Sequence, residues 1–302
     1  MRIDAAEPET DAPFVGADDI ARWEHSAIAL AISWAGLIAA TLLLFRMGVE
    51  IGLMHGVGWI AGYFAVLGWL ERNERREVVV RSAAFRAVRC GVPLCLFAIL
   101  AILASGHLFD FSVDGISTHQ DPVVAMMQGW NPVKDPFFSE AAFLVGKDGV
   151  NPELVYGKVQ KGCALSFGSI SAAVIGSCTG NHESGKAINL TVIPMVFGFA
   201  YGCGRRYGGS PVVSGLWALG VSANPVILYQ TVSFMQDALV SAFYGSLLLY
   251  AMSWFKGSLP RASLWVFTCL GFVLAGLKLP GMGYAGISLG FLGLGTWILK
   301  RK

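Results

Sequence analysis

Runs of about 20 apolar residues recur along this chain, and they limit its fold more than any other feature. A helix of that length, rising 1.5 Å per residue, crosses the hydrocarbon core of a bilayer. Such runs fall at residues 26–45, 51–70, 90–108, 187–203, 210–229, 232–254, 263–279 and 282–299. They are continuous rather than alternating with a period of two, which argues against a transmembrane barrel. Only 14% of the 302 residues are charged, where a soluble domain carries about a quarter. The expected fold is therefore all-α and polytopic, with about 8–9 membrane helices. A ninth apolar segment, 163–178, is short and rich in serine and glycine. It is expected to dip into the membrane rather than cross it, because each serine lowers the gain from burial.

Residues 1–25 are acidic and polar and lack the basic start of a signal peptide. They read as a disordered cytoplasmic tail, leaving 26–302 as one membrane domain. No basic stripe points to nucleic acid, and no nucleic-acid partner is expected. The six cysteines show no CxxC and no zinc-finger spacing. Those in or beside apolar runs read as small buried hydrophobes.

Orientation follows from arginine. The stretch ERNERREVVVRSAAFRAVR, Glu71 to Arg89, carries six arginines, and the positive-inside rule places it in the cytoplasm. The N-terminus is then also inside, and the loop 109–161 lies outside, in the periplasm of a bacterial inner membrane or its equivalent. If 163–178 does not cross, Arg205, Arg206, Lys256, Arg261 and the terminal KRK all fall inside as well. The outward ends of the spans then gather in one layer, formed by the 109–161 loop, residues 179–186, the turn before Asp237 and the turn near Pro280. A site is expected there.

Polar residues at these ends carry the candidate chemistry. In DFSVDGISTHQDP, Asp110 and Asp114 would align at i, i+4 on a helix. Gly115 permits a tight turn or close approach beside Asp114, and His119 and Gln120 follow. A carboxylate at a membrane edge can serve as a general base or hold a divalent cation, Mg or Mn. The bland alternative is a solvated acidic loop. Trp130 in GWNP fits an interfacial anchor. In YGKVQKG, Lys158 and Lys161 precede an apolar segment on the outside, where basic residues are disfavoured. They are candidates for a lipid phosphate, against the alternative of snorkelling to headgroups. Asn224, Gln230, Gln236 and Asp237 interrupt an apolar stretch. Asp237, about two turns into the 232–254 run, is a functional candidate by its cost in the membrane. The alternative is a span that starts later, with Asp237 at the interface.

These motifs together resemble the GT-C superfamily of membrane glycosyltransferases. SVDGISTHQDPVVAMMQGWNP resembles the DG-x-x-x-HQ … GWNP loop of a poorly characterised bacterial subgroup. KVQKG resembles its Tyr-Pro-Lys-Gly motif, with Val159-Gln160 at the Tyr-Pro positions. ESGKAIN, SANPVILYQTVSFMQDA and LKLPGMGYAGI are similar to further segments of that group. The resemblance covers residues 88–298 and implies inverting transfer of a sugar from a polyprenyl-phosphate donor to an acceptor that the sequence leaves unnamed. It implies that Asp114 is the base or a metal ligand and that Lys161 meets the donor phosphate. The first two spans are extra to the usual core. The chain reads as a C-terminally short member, since relatives usually continue beyond this point. Two other classes stay open on sequence alone: a non-catalytic scaffold of an envelope-polysaccharide complex, and a transporter or flippase. A transporter would place its polar groups half-way along the helices, a transferase in the outer layer.

Overall fold

The computed structural model describes residues 17–74, 80–112, 115–134, 166–256 and 263–300. Among them every regular element is helical. Helices α1 (Ala17–Met47), α2 (Leu53–Glu74) and α3 (Val80–His107) come first. A π-helical turn (Gly115–Gln120) then leads into the short α4 (Asp121–Met127). Next are α5 (Phe167–Thr179), a 3-10 turn (His182–Lys186) and α6 (Ala187–Arg206). The pieces α7 (Pro211–Ser222) and α8 (Pro225–Tyr229) follow. The chain closes with α9 (Asp237–Phe255), α10 (Ser263–Leu277) and α11 (Leu279–Lys300). Among the described residues four stretches, Arg22–Met47, Leu53–Arg72, His182–Arg206 and Asp237–Phe255, are long and apolar enough to cross a membrane. The protein is thus a helical bundle with membrane-spanning character.

Three expectations about the elements change. The first helix begins at Ala17, so residues 17–25 belong to it rather than to a tail, while 1–16 lie outside the described residues. The run 210–229 is two helices, not one. Proline disfavours helix in the residue before it, and Asn224, ahead of Pro225, instead caps α8 by accepting from the Val226 and Ile227 amides at 3.1 Å. The run 232–254 also starts late. Asn189 Nδ2 donates to the carbonyls of Gln230, Ser233 and Met235, and Gln230 Oε1 accepts from the Ala238 amide at 2.7 Å. Side chains thus hold residues 230–236 in turns, and Asp237 is the first residue of α9. It stands at the helix end rather than two turns inside.

Contacts sort the helix ends into two layers. At one end, the start of α1 meets the ends of α2 and α6: His25 Nδ1 lies 3.0 Å from Glu71, and Arg206 pairs with Glu24. The Tyr207 hydroxyl reaches the Met252 carbonyl of α9, and Lys256 sits over the Tyr207 ring. At the other end, Asn131 Nδ2 donates to the Phe45 carbonyl near the end of α1 at 2.7 Å. There Asn181 also reaches the Gly106 carbonyl of α3, and the Phe234 amide reaches Asp110. Between the layers lies an apolar core centred on α1, α6 and α9, with Trp34, Ile38, Phe199, Phe243 and Tyr250 fully buried. Lipid is as apolar as leucine, so close backbone approach matters more here than in water. Gly198 shows it: a Cβ there would come within 2.4 Å of the Trp23 carbonyl oxygen.

Helix α5 differs from its neighbours. Its 13 residues span about 20 Å, short of the ~30 Å hydrocarbon core. Its start is tied to Gln236, through Ser169 at 3.0 Å, and its end packs Cys178 on Leu53 and Gly56 at the start of α2. Both partners stand in the layer that holds Asp110. Its middle reaches down to α1, where Trp34 Nε1 donates to Ser171 Oγ at 2.8 Å. Both ends of the helix therefore lie at the same end of the bundle.

Candidate functional site

The layer holding Asp110 gathers most of the described polar residues that the sequence singles out. Asp110 follows α3 and is 5% exposed. Its Oδ1 accepts from the Ser112 amide at 2.8 Å and hydroxyl at 2.7 Å, a side-chain turn that aspartate favours. Its Oδ2 accepts from the Phe234 amide at 2.6 Å. One carboxylate thus clasps the segment after α3 to the turns before α9. Gly115 fits against it, since a Cβ there would lie 2.2 Å from Asp110 Oδ2. Its amide donates to Ser112 Oγ.

His119 is the penultimate residue of the π-helical turn and is buried. Its Nδ1 lies 3.2 Å from Nε2 of Gln236, the residue just before α9. The same Gln236 nitrogen donates to Ser169 Oγ at the start of α5. Next to His119, Gln120 Nε2 reaches Glu183 Oε1 at 3.4 Å. Glu183 belongs to the 3-10 turn, which Asn181 caps by accepting from its amide at 3.0 Å. The carboxylate pairs with Lys186, whose side chain is wholly buried. Lys186 also donates to the Leu108 carbonyl and lies 5.8 Å from the centre of the Phe234 ring. A buried ammonium needs such partners, because leaving one unpaired is expensive.

Toward the surface the layer opens. The Asp237 carboxylate, 46% exposed, meets Lys278 Nζ at 2.6 Å and Gln230 Nε2 at 3.5 Å. His182, 42% exposed, lies 3.4 Å from Glu183. The structure therefore brings Asp110, His119, Gln120, Gln230 and Asp237 into one layer. Asn224 has a local task as a helix cap. Asp114, Lys158 and Lys161 lie outside the described residues, as does most of the loop 109–161. Sequence reasoning placed residues 179–186, and with them Glu183 and Lys186, in this layer without singling out their side chains, and it missed Ser169, Asn189 and Lys278. The signal for Glu183, Lys186 and Asn189 was the run ESGKAIN at the head of an apolar stretch; Ser169 and Lys278 lie outside it.

The expected divalent cation finds no ready seat among the described residues. No three His, Cys, Asp or Glu side chains are grouped to hold one. Asp110, one proposed ligand, already accepts three hydrogen bonds.

Asp121, the first residue of α4, is half-buried, and desolvation pushes its carboxyl above the usual carboxylate range. A carboxyl raised in the folded state stabilises the fold below its unfolded pKa. That contribution is lost as pH rises through the folded value. Asp121→Asn should therefore melt higher than the parent at neutral pH in detergent. The gap should close as pH falls below the ordinary carboxylate range. A gap that does not change with pH would refute the desolvation reading.

Comparison with protein-family models, with curated proteins and with solved structures gives no match to this chain.

Proposed function

We propose that the protein is a membrane glycosyltransferase that takes a sugar from a polyprenyl-phosphate donor at the layer holding Asp110. One observation carries this reading: the distribution of charge along the helices. Residues 26–45, 56–70, 91–106, 188–204 and 238–255 contain no Asp, Glu, Lys or Arg. The charged and amide side chains meet at the helix ends, where a lipid phosphate stands. A transporter or flippase needs such groups half-way along the helices.

The ends also differ in sign. Arg72, Arg205, Arg206 and Lys256 stand at the end opposite Asp110. By the positive-inside rule that end faces the cytoplasm, and the Asp110 layer faces out. The return of α5 to its own side is what keeps these basic residues together. Asp114, proposed as the base, takes the proton of the acceptor hydroxyl. The acceptor oxygen attacks the anomeric carbon, and the bond from that carbon to the phosphate oxygen breaks with inversion. Polyprenyl phosphate leaves, its charge met by Lys158 and Lys161. Asp110, His119 and Gln236 hold the segments on either side of Asp114 in place.

The first test is topology. In a background lacking the six native cysteines, a cysteine at Lys147 should react with an impermeant reagent from outside, and one at Arg76 should not. The reverse pattern would put the layer on the wrong side and sink the reading. The second is activity. Purified protein in vesicles with a radiolabelled polyprenyl-phosphate sugar and total envelope acceptors should move label out of the lipid fraction. Label that stays on the lipid would favour the scaffold reading. Label that stays on the lipid but changes leaflet would favour a flippase.

A further inference from the structure

We infer that one water molecule is bound inside the fold between Asn189 and Gln236, and that it sets the protonation pattern of His119. The inference does not depend on sugar transfer. Three observations meet. Asn189 is 1% exposed, and its Nδ2 donates to three backbone carbonyls at 2.8–3.0 Å. Three acceptors on one nitrogen fix the orientation of the amide, so Oδ1 must face away from them. Gln236 is 2% exposed. Its Nε2 donates to Ser169 Oγ at 3.0 Å and lies 3.2 Å from His119 Nδ1, with Oε1 on the other side. Neither Asn189 Oδ1 nor Gln236 Oε1 has a hydrogen-bond partner among the described residues.

Both side chains line the same cavity, of about 10 Å³, together with His119, Gly168, Ser169 and Phe234. That volume is about one water-sized sphere. A buried carbonyl oxygen without a donor is costly, and water brings two protons for two such oxygens. A sodium ion fits less well, because no carboxylate lines the cavity to balance its charge.

The water has a consequence for the histidine. With a donor on Oε1, the Gln236 amide is held with Nε2 toward His119. Nδ1 is then an acceptor, and the neutral imidazole carries its proton on Nε2. Without the water, the amide gains by turning so that Oε1 accepts from a protonated Nδ1.

The test reads the tautomer. In nanodiscs of protein labelled with [15N]histidine, the His119 signals are assigned by their loss in His119→Asn. Above the imidazole pKa the parent should show an unprotonated Nδ1 and a protonated Nε2. Gly168→Ala would bring a methyl carbon within 3.0 Å of Gln236 Cδ and 2.9 Å of Leu239 Cδ1, taking the room of the water. In that variant Nδ1 should move into the protonated range. A parent with Nδ1–H, or a folded Gly168→Ala with an unchanged tautomer, would overturn the inference. Should that variant not fold, a water-resolving density map of the parent decides: a peak between Asn189 Oδ1 and Gln236 Oε1 supports it, and none refutes it. Thermal midpoints should match in sodium and choline chloride. Stabilisation by sodium alone would replace the water with a cation and overturn it.

Discussion

Replacing Asp114 with asparagine is expected to leave the protein inserted and folded, and to lower sugar transfer by about 10²–10⁴-fold. That factor corresponds to about 3–5 kcal/mol of lost transition-state stabilisation. Asparagine keeps the shape of aspartate and cannot accept the proton of the acceptor hydroxyl. The loss should fall on kcat at saturating donor. Lys161→Ala should differ, because a phosphate contact made in both ground and transition states affects KM as well. Wild-type turnover in Asp114→Asn at saturating donor would remove Asp114 from the chemistry and leave the glycosyltransferase proposal without its base.

Lys186→Met should be the most destabilising single change in the described layer. The side chain is wholly buried, and its ammonium serves both Glu183 and the Leu108 carbonyl. Removing one partner of a buried pair costs about 3–5 kcal/mol, and here, among the described residues, it leaves the Glu183 carboxylate with only Gln120 and the half-exposed His182, each at 3.4 Å. Methionine fills similar volume, so the loss reports the stranded carboxylate rather than a cavity. Adding Glu183→Gln should recover much of it, since an apolar or neutral pair is often tolerated where a lone charge is not. Denaturation in mixed micelles of the parent, both single variants and the double variant would measure the coupling. A loss under about 1 kcal/mol for Lys186→Met, the worth of a surface pair, would contradict the burial argument.

Hydropathy located the long helices because apolar runs and membrane helices share one cause, the need to satisfy backbone groups internally in lipid. It misplaced ends where the cause is different. Helix α3 starts at Val80, ten residues ahead of its apolar run, since arginine is a good helix former and a helix need not stop at the lipid boundary. The break at Asn224-Pro225 was written in the sequence as a cap followed by proline and was overridden by the apolar residues around it. The late start of α9 was less legible. It depends on Asn189, more than 40 residues away, taking the carbonyls of 230, 233 and 235. The candidate layer was foreseen as a layer, with Asp110, His119, Gln120, Gln230 and Asp237 among its members. Residues 179–186 were foreseen there too, but Ser169 was not, because pairings between distant segments leave no periodic trace. Lys278 was passed over for the same reason: its partner Asp237 lies 41 residues earlier.

The half-length helix α5 also sets an order of events during synthesis. Its walls come from both sides of it in the chain: Trp34 of α1 is made before it, Gln236 and Leu239 at the start of α9 well after, with Gln236 just ahead of the helix, and Gly276 of α10, where Phe167 packs, later still. At 5–20 residues per second, ribosomes need on the order of ten seconds to go from the end of α5 to Gly276. Until then the slot of α5 is incomplete, because Gln236, Leu239 and Gly276 have yet to be made. The contacts of Asp110 with Phe234 and of His119 with Gln236 can therefore form only after more than 110 further residues have been made.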